Sequence, residues 1–260
     1  MNIFKSSISS NLRFVCKLSD GRLLISCHGQ NRVLIAKEDG NVVRALDGVE
    51  FSSPEGIVVD KEGQILVVDR YNHCIHVFDS ELTYKERIGK GGQGPLEFNQ
   101  PVGIAVSPVD GRVWVADNEN HRVQAIDGNQ FSASLGAGVG GAPGQLFCPC
   151  GVAVFIHPMH GELIVVSEWG GGRLQVFRPN GEVFAVFPGV PHAHHVAVEA
   201  DGTIVVSEYA TRKIKKFNID GDSKELSASA VSIGADFFVV KDRILKASKG
   251  GGNKRSRKSI

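Results

Sequence analysis

The chain has 260 residues, of which 42% are hydrophobic and 22% charged, with 31 glycines and a formal net charge of +1. That balance excludes a global field that would draw it onto DNA or a membrane surface, and no apolar run approaches the roughly 20 residues that a membrane helix needs. Five scattered cysteines (Cys16, Cys27, Cys74, Cys148 and Cys150) fit no disulfide framework, and Met1–Ser10 has no apolar stretch long enough for a signal peptide, so a reducing, cytoplasmic location is expected.

In chain order, a degenerate first unit begins at Val15-Cys-Lys-Leu-Ser-Asp-Gly21, and two clear copies follow at Pro54-Glu-Gly-Ile-Val-Val-Asp60 and Pro101-Val-Gly-Ile-Ala-Val-Ser107. Further copies begin at Pro149-Cys-Gly-Val-Ala-Val154 and Ala193-His-His-Val-Ala-Val198, which places the repeat glycine at Gly56, Gly103 and Gly151, with His195 in its place in the fifth unit. Each unit alternates short β-branched runs with turn signals such as Asp20-Gly21, Asp39-Gly40, Asp110-Gly111, Asn180-Gly181 and Asp201-Gly202. Such runs are strands, and Asp-Gly or Asn-Gly pairs supply the positive φ angles of tight hairpins. Units of about 40–50 residues built as four-stranded antiparallel meanders predict an all-β propeller, because one small sheet cannot bury both of its faces alone. A sixth unit, Asp236 to Ala247, holds two strands. Six blades are therefore expected over residues 1–248, with five as the alternative and Asn2–Ile8 as the strand that closes the ring. Residues 249–260, including Lys254-Arg-Ser-Arg-Lys258, read as a flexible basic tail, with a solvated end as the plainer reading and a nuclear-import signal or added phosphate affinity as the functional one.

The pattern Pro-x-Gly-Ile-x-Val, then Val-x-Asp, then Asn72-His73 or Asn120-His121, closed by a Val-x-x-Phe/Ile strand, resembles the NHL repeat family of β-propellers. Cys74 and Arg122 stand where that family's name places leucine. The linkers Gly89 to Pro101 and Gly138 to Phe147 are similar to its inter-blade connections. The resemblance implies a scaffold that binds protein or RNA partners. The larger proteins that carry such domains often add a ubiquitin-ligase module, but no Cys/His-rich ring-finger segment stands here. Some propellers of similar build are metal-dependent lyases or hydrolases.

Three groups of residues are candidates for function. Aligning Ser26, Asp69, Asp117, Ser167 and Ser207 puts His28, Tyr71, Glu119, Trp169 and Tyr209 at one loop position, with His73, His121, Arg122, Arg173 and Arg212 close behind. From these, Tyr71, His73, His121, Arg122, Trp169, Arg173, Tyr209 and Arg212 are expected to form one aromatic and basic face, able to stack on single-stranded RNA or to hold a protein. The Asp and Asn members of these loops have a purely structural use as Asx turns. Second, the residues before the repeat glycine are Arg13, Glu55, Val102, Cys150, His194 and Asp236. Of these, Glu55, Cys150, His194 and Asp236 are candidate ligands for a divalent metal at the channel mouth, with polar lining as the plainer reading. Third, His192-Ala-His-His195 and Cys148-Pro-Cys150 match neither zinc-finger nor redox spacing. The expectation is a non-catalytic recognition propeller without a cofactor, and a channel-mouth metalloenzyme is the alternative.

Overall fold

Strands such as Ile65–Asp69 and Cys74–Phe78 are buried at every position, which a strand permits only when both faces of its sheet are covered. The computed structural model describes residues 12–219 and the strands at 237–240 and 243–246. In it, small antiparallel sheets cover one another in sequence. The first blade is β1 (Leu12–Lys17), β2 (Leu23–Cys27), β3 (Arg32–Ala36) and β4 (Val42–Ala45). The second is β5 (Pro54–Val59), β6 (Ile65–Asp69), β7 (Cys74–Phe78) and β8 (Tyr84–Ile88). A short parallel pair, β9 (Lys90–Gly91) and β10 (Glu97–Phe98), sits in the linker to the third blade. That blade is β11 (Pro101–Val106), β12 (Val113–Asp117), β13 (Arg122–Asp127) and β14 (Gln130–Leu135). The fourth is β15 (Pro149–His157), β16 (Gly161–Glu168), β17 (Arg173–Phe177) and β18 (Val183–Pro188). The fifth has three strands among the described residues: β19 (Ala193–Val198), β20 (Ile204–Glu208) and β21 (Lys213–Phe217).

The molecule is thus an all-β propeller of four-stranded antiparallel blades, four of them described in full and a fifth through three strands. A hairpin of β22 (Phe237–Val240) and β23 (Arg243–Lys246) adds the two strands expected of a sixth unit. Its β22 neighbours both β1 and β19. The expected closing strand Asn2–Ile8, the candidate ligand Asp236 and the tail 249–260 lie outside the described residues.

Strand alternation explains the radial packing. Along β6, Ile65 and Val67 join Leu24, Val33 and Ile35 of the first blade in one apolar layer, while Leu66 and Val68 join Ile104, Val113 and Val115 of the third in the next. Successive side chains point to opposite faces, so each blade supplies half of two cores. The innermost strands press together at the repeat glycines. A β-carbon at Gly103 would lie 2.4 Å from Cys150 O and 2.9 Å from Val152 N, and one at Gly151 would lie 2.5 Å from His194 O. Backbone-to-backbone approach of this kind is possible only without a side chain.

Candidate binding face at the channel mouth

The loops that follow β2, β6, β12, β16 and β20 share one end of the blades with the starts of the innermost strands, because the pairs are antiparallel. Register places Cys27, Asp69, Asp117, Glu168 and Glu208 opposite Leu12, Pro54, Pro101, Pro149 and Ala193. This corrects the sequence alignment by one residue in the first, fourth and fifth units, where Ser26, Ser167 and Ser207 had been matched to Asp69 and Asp117. The equivalent loop residues are therefore His28, Arg70, Asn118, Trp169 and Tyr209, and Tyr71 lies one position further out.

The acids at the strand ends are structural, though not as turns of their own loop. Asp69 accepts the N–H of Ser52 at 2.8 Å, Asp117 that of Asn99 at 2.7 Å and Glu168 that of Phe147 at 2.9 Å, each tying down the approach to its own blade's innermost strand. A second set of bonds joins consecutive blades. Asn31 Oδ1 accepts the N–H of Ser53 at 2.8 Å, His73 Nδ1 that of Gln100 at 3.0 Å and His121 Nδ1 that of Cys148 at 3.1 Å. All six residues are in the left-handed region, with φ between 50° and 62°.

Four of the eight predicted binding residues are thereby drawn into blade joints. His73 and His121 serve as just described. Arg122 binds Asp117 at 2.9 Å and the carbonyls of Gly94 and Glu97 at 2.7 and 2.9 Å. Arg173, buried, binds Glu168 at 2.7 Å and the carbonyls of Gly141 and Gln145, the latter at 2.8 Å. A guanidinium with five donors fits a loop that turns several carbonyls inward, and these two linkers do that. Arg212 is exposed at the left-handed position equivalent to His73 and His121.

Tyr71, Trp169 and Tyr209 remain on the face, in two groups. Trp169 packs at 5.2 Å from Tyr209 and 4.7 Å from His192, with His194 5.7 Å away. Tyr71, half exposed, lies 6.2 Å from His28 and beneath the Arg70 guanidinium at 5.5 Å. Between the groups sits Glu55, fully buried, with His28, Arg70 and Arg13 about its carboxylate. Sequence reasoning passed over Arg70 and Asn118, because the loop position it compared was shifted in just those units.

Glu55, Cys150 and His194 do share one inner position, each one residue after the strand's first. Burial, and then the Glu55 charge, push the Cys150 thiol up to about 12. Burial, and then His195, hold the His194 imidazole well below its ordinary value, with Glu55, Arg13 and Arg70 also felt there. Of the four candidate metal ligands, Asp236 lies outside the described residues. Among the described residues no three His, Cys, Asp or Glu side chains gather to hold an ion. Asn118 Nδ2 instead donates toward Cys150 Sγ at 3.4 Å, and guanidiniums occupy the space beside Glu55.

The NHL repeat signature matches residues 51–78 and 98–126, which are parts of the second and third blades. Mouse NHL repeat-containing protein 3 is 27% identical over 185 residues, covering 66% of this chain and 51% of its own length. A probable peptidyl-alpha-hydroxyglycine alpha-amidating lyase of Caenorhabditis elegans is 28% identical over 190 residues, with coverage of 66% and 51%. The chain thus spans about half the length of these relatives. A solved streptogramin B lyase superposes with a TM-score of 0.66 at 13% identity, over 89% of this chain and 74% of that one, and shows the shared propeller fold. Among the described residues no helix is long and apolar enough to cross a membrane.

Proposed function

Since the chain is an NHL-repeat β-propeller, we propose that it is a non-catalytic recognition module that binds a protein partner on the face bearing Tyr71, Trp169 and Tyr209. One observation carries this reading. The rings stay on the surface, Tyr71 and Tyr209 being 50% and 57% exposed, while Arg122, Arg173, His73 and His121 are engaged in the joints. An RNA groove needs a track of free cations beside its rings, whereas a protein interface centres on a few aromatic and arginine anchors. Drawing two guanidiniums and two imidazoles into the joints tips that balance toward protein. A cytoplasmic or nuclear setting belongs to the same proposal.

The similarity to an amidating lyase keeps an enzymatic reading in view. It would require a reacting centre at the mouth, where, among the described residues, Glu55, Cys150 and His194 do not group as metal ligands. Photocross-linking from residue 71 or 209, compared between the wild-type chain and Trp169→Ala, tests the proposal. A specific protein adduct lost in Trp169→Ala is expected. Retention of a random single-stranded RNA pool at low salt, abolished by the same substitution and falling steeply with salt, would replace the protein reading with RNA.

A further inference from the structure

Glu55 is fully buried, yet neither of its carboxylate oxygens has a hydrogen-bond partner among the described residues. Three basic groups crowd Oε1 without bonding it: His28 Nδ1 at 2.8 Å but out of line, Arg70 Nη1 at 3.8 Å and Arg13 Nε at 4.0 Å. Among the described residues, Arg13 Nε is itself buried without an acceptor. A finished ion pair in a protein interior is hydrogen-bonded as well as close, because unbonded buried charges are costly. This cluster is instead unfinished on both sides.

We propose that it is a carboxylate-binding subsite at the centre of the recognition face, in which Arg13 and Arg70 hold a peptide carboxylate and Glu55 is the buried counter-charge that sets the two guanidiniums. The inference rests on the protein-partner reading and names what that partner offers. Among the described residues, two guanidiniums against one carboxylate leave a surplus of one positive charge, and burial keeps the neighbouring His194 neutral. An incoming carboxylate cancels that surplus and supplies the acceptor that Arg13 Nε lacks among the described residues, in the planar geometry a guanidinium prefers. Arg70 is already aimed: its Nε and Nη2 donate to Gln100 Oε1 at 3.2 and 3.0 Å, which leaves Nη1 for the mouth. Each guanidinium also rests on a tyrosine, Arg13 at 6.0 Å from the centre of Tyr209 and Arg70 at 5.5 Å from that of Tyr71. The side chains of Arg13, His28 and Arg70 are 20%, 19% and 23% exposed, so the cluster is reached from solvent through them. A phosphomonoester would bring up to two negative charges toward the buried Glu55, which favours the carboxylate.

The test is calorimetric titration of the full chain with four probes: N-acetyl-Gly-Phe, its C-terminal amide, N-acetyl-Asp-Phe-amide and a thymidine dinucleotide. Binding of a carboxylate-bearing probe at least about tenfold tighter than the uncharged amide is expected, the scale of one charge-assisted contact. Preference for the free acid alone identifies a chain terminus as the source, and binding of the Asp peptide as well extends it to acidic side chains. Arg13→Gln should weaken the acid about tenfold, measured at a temperature where circular dichroism shows the variant folded. Arg70→Lys, which keeps the charge and loses the fork, provides the same reading if Arg13→Gln unfolds. Equal binding of acid and amide, a dinucleotide bound as tightly as the acid, or no binding of any probe at millimolar concentration overturns the subsite. Partner cross-linking that persists alongside such a result leaves the protein reading standing without it, while probe binding without any cross-link separates the two the other way.

Discussion

His121 Nδ1 accepts the backbone N–H of Cys148 across 27 positions of chain, so a side chain of the third blade fixes the backbone just ahead of the fourth. His73 repeats the bond to Gln100, and Asn31 makes it with a shorter side chain to Ser53. The same backbone conformation at all three sites shows that the acceptor, and not the imidazole, is what the joint requires.

His121→Ala should therefore lower stability by about 1–2 kcal/mol, the effect of leaving a part-buried N–H without its acceptor. His121→Asn should recover much of that loss, since Asn31 already does the same work. Chemical denaturation of the three chains at neutral pH measures both effects, and equal losses in the two variants would mean that ring packing rather than the bond matters.

Gly103→Ala should cost about 1–3 kcal/mol or more, because the new β-carbon would meet Cys150 O at 2.4 Å and neither backbone can yield without parting the third and fourth blades. Gly141→Ala, where a β-carbon meets nothing within 4 Å, is the matched control. Thermal unfolding of the pair should separate them clearly, and a Gly103→Ala chain that melts like the control would contradict the packing at the axis.

Arg173→Met should be the most damaging of these substitutions, at about 3–5 kcal/mol, since it strands the buried Glu168 carboxylate 2.7 Å from an absent partner. Adding Glu168→Gln removes the stranded charge. The double variant should be more stable than Arg173→Met alone, and a double-mutant cycle by urea denaturation reads this directly.

Acid should destabilise the propeller through the innermost strand of the fifth blade. Burial, and then Arg13, lower His195 from 6.5 to about 3. The unfolded chain binds a proton near 6.5 that the folded chain refuses until near 3. Stability from this group is thus complete above about pH 6.5 and declines as pH falls through that window, by up to ~1.4 kcal/mol per unit. His194 acts in the same direction. His195→Phe, which copies Phe14 at the equivalent place in the first blade, should flatten the decline in melting temperature between about pH 7 and 5. An identical slope in that variant would assign the acid sensitivity elsewhere.

The blades were legible in the sequence because their determinants are local. Alternation along Ile65–Asp69, the hairpin turns and the glycines at 56, 103 and 151 each act within a few residues of themselves. They specify strands, meanders and, through the repeat, a ring of sheets. The shared inner position of Glu55, Cys150 and His194 was legible for the same reason. What only the tertiary structure decided is where side chains from different blades meet. In sequence, Arg122 and Arg173 are indistinguishable from cations free to bind a partner, and only the linker carbonyls turned toward them, 25 to 32 residues away, show that they close joints. The loop alignment slipped by one residue for a related reason: Ser26, Ser167 and Ser207 are polar residues one step inside the strand ends, and only pairing with the innermost strands fixes Cys27, Glu168 and Glu208 as the true equivalents of Asp69 and Asp117. Periodicity settles which residues form a blade, while the use of each polar side chain depends on a neighbour that lies a blade away along the chain.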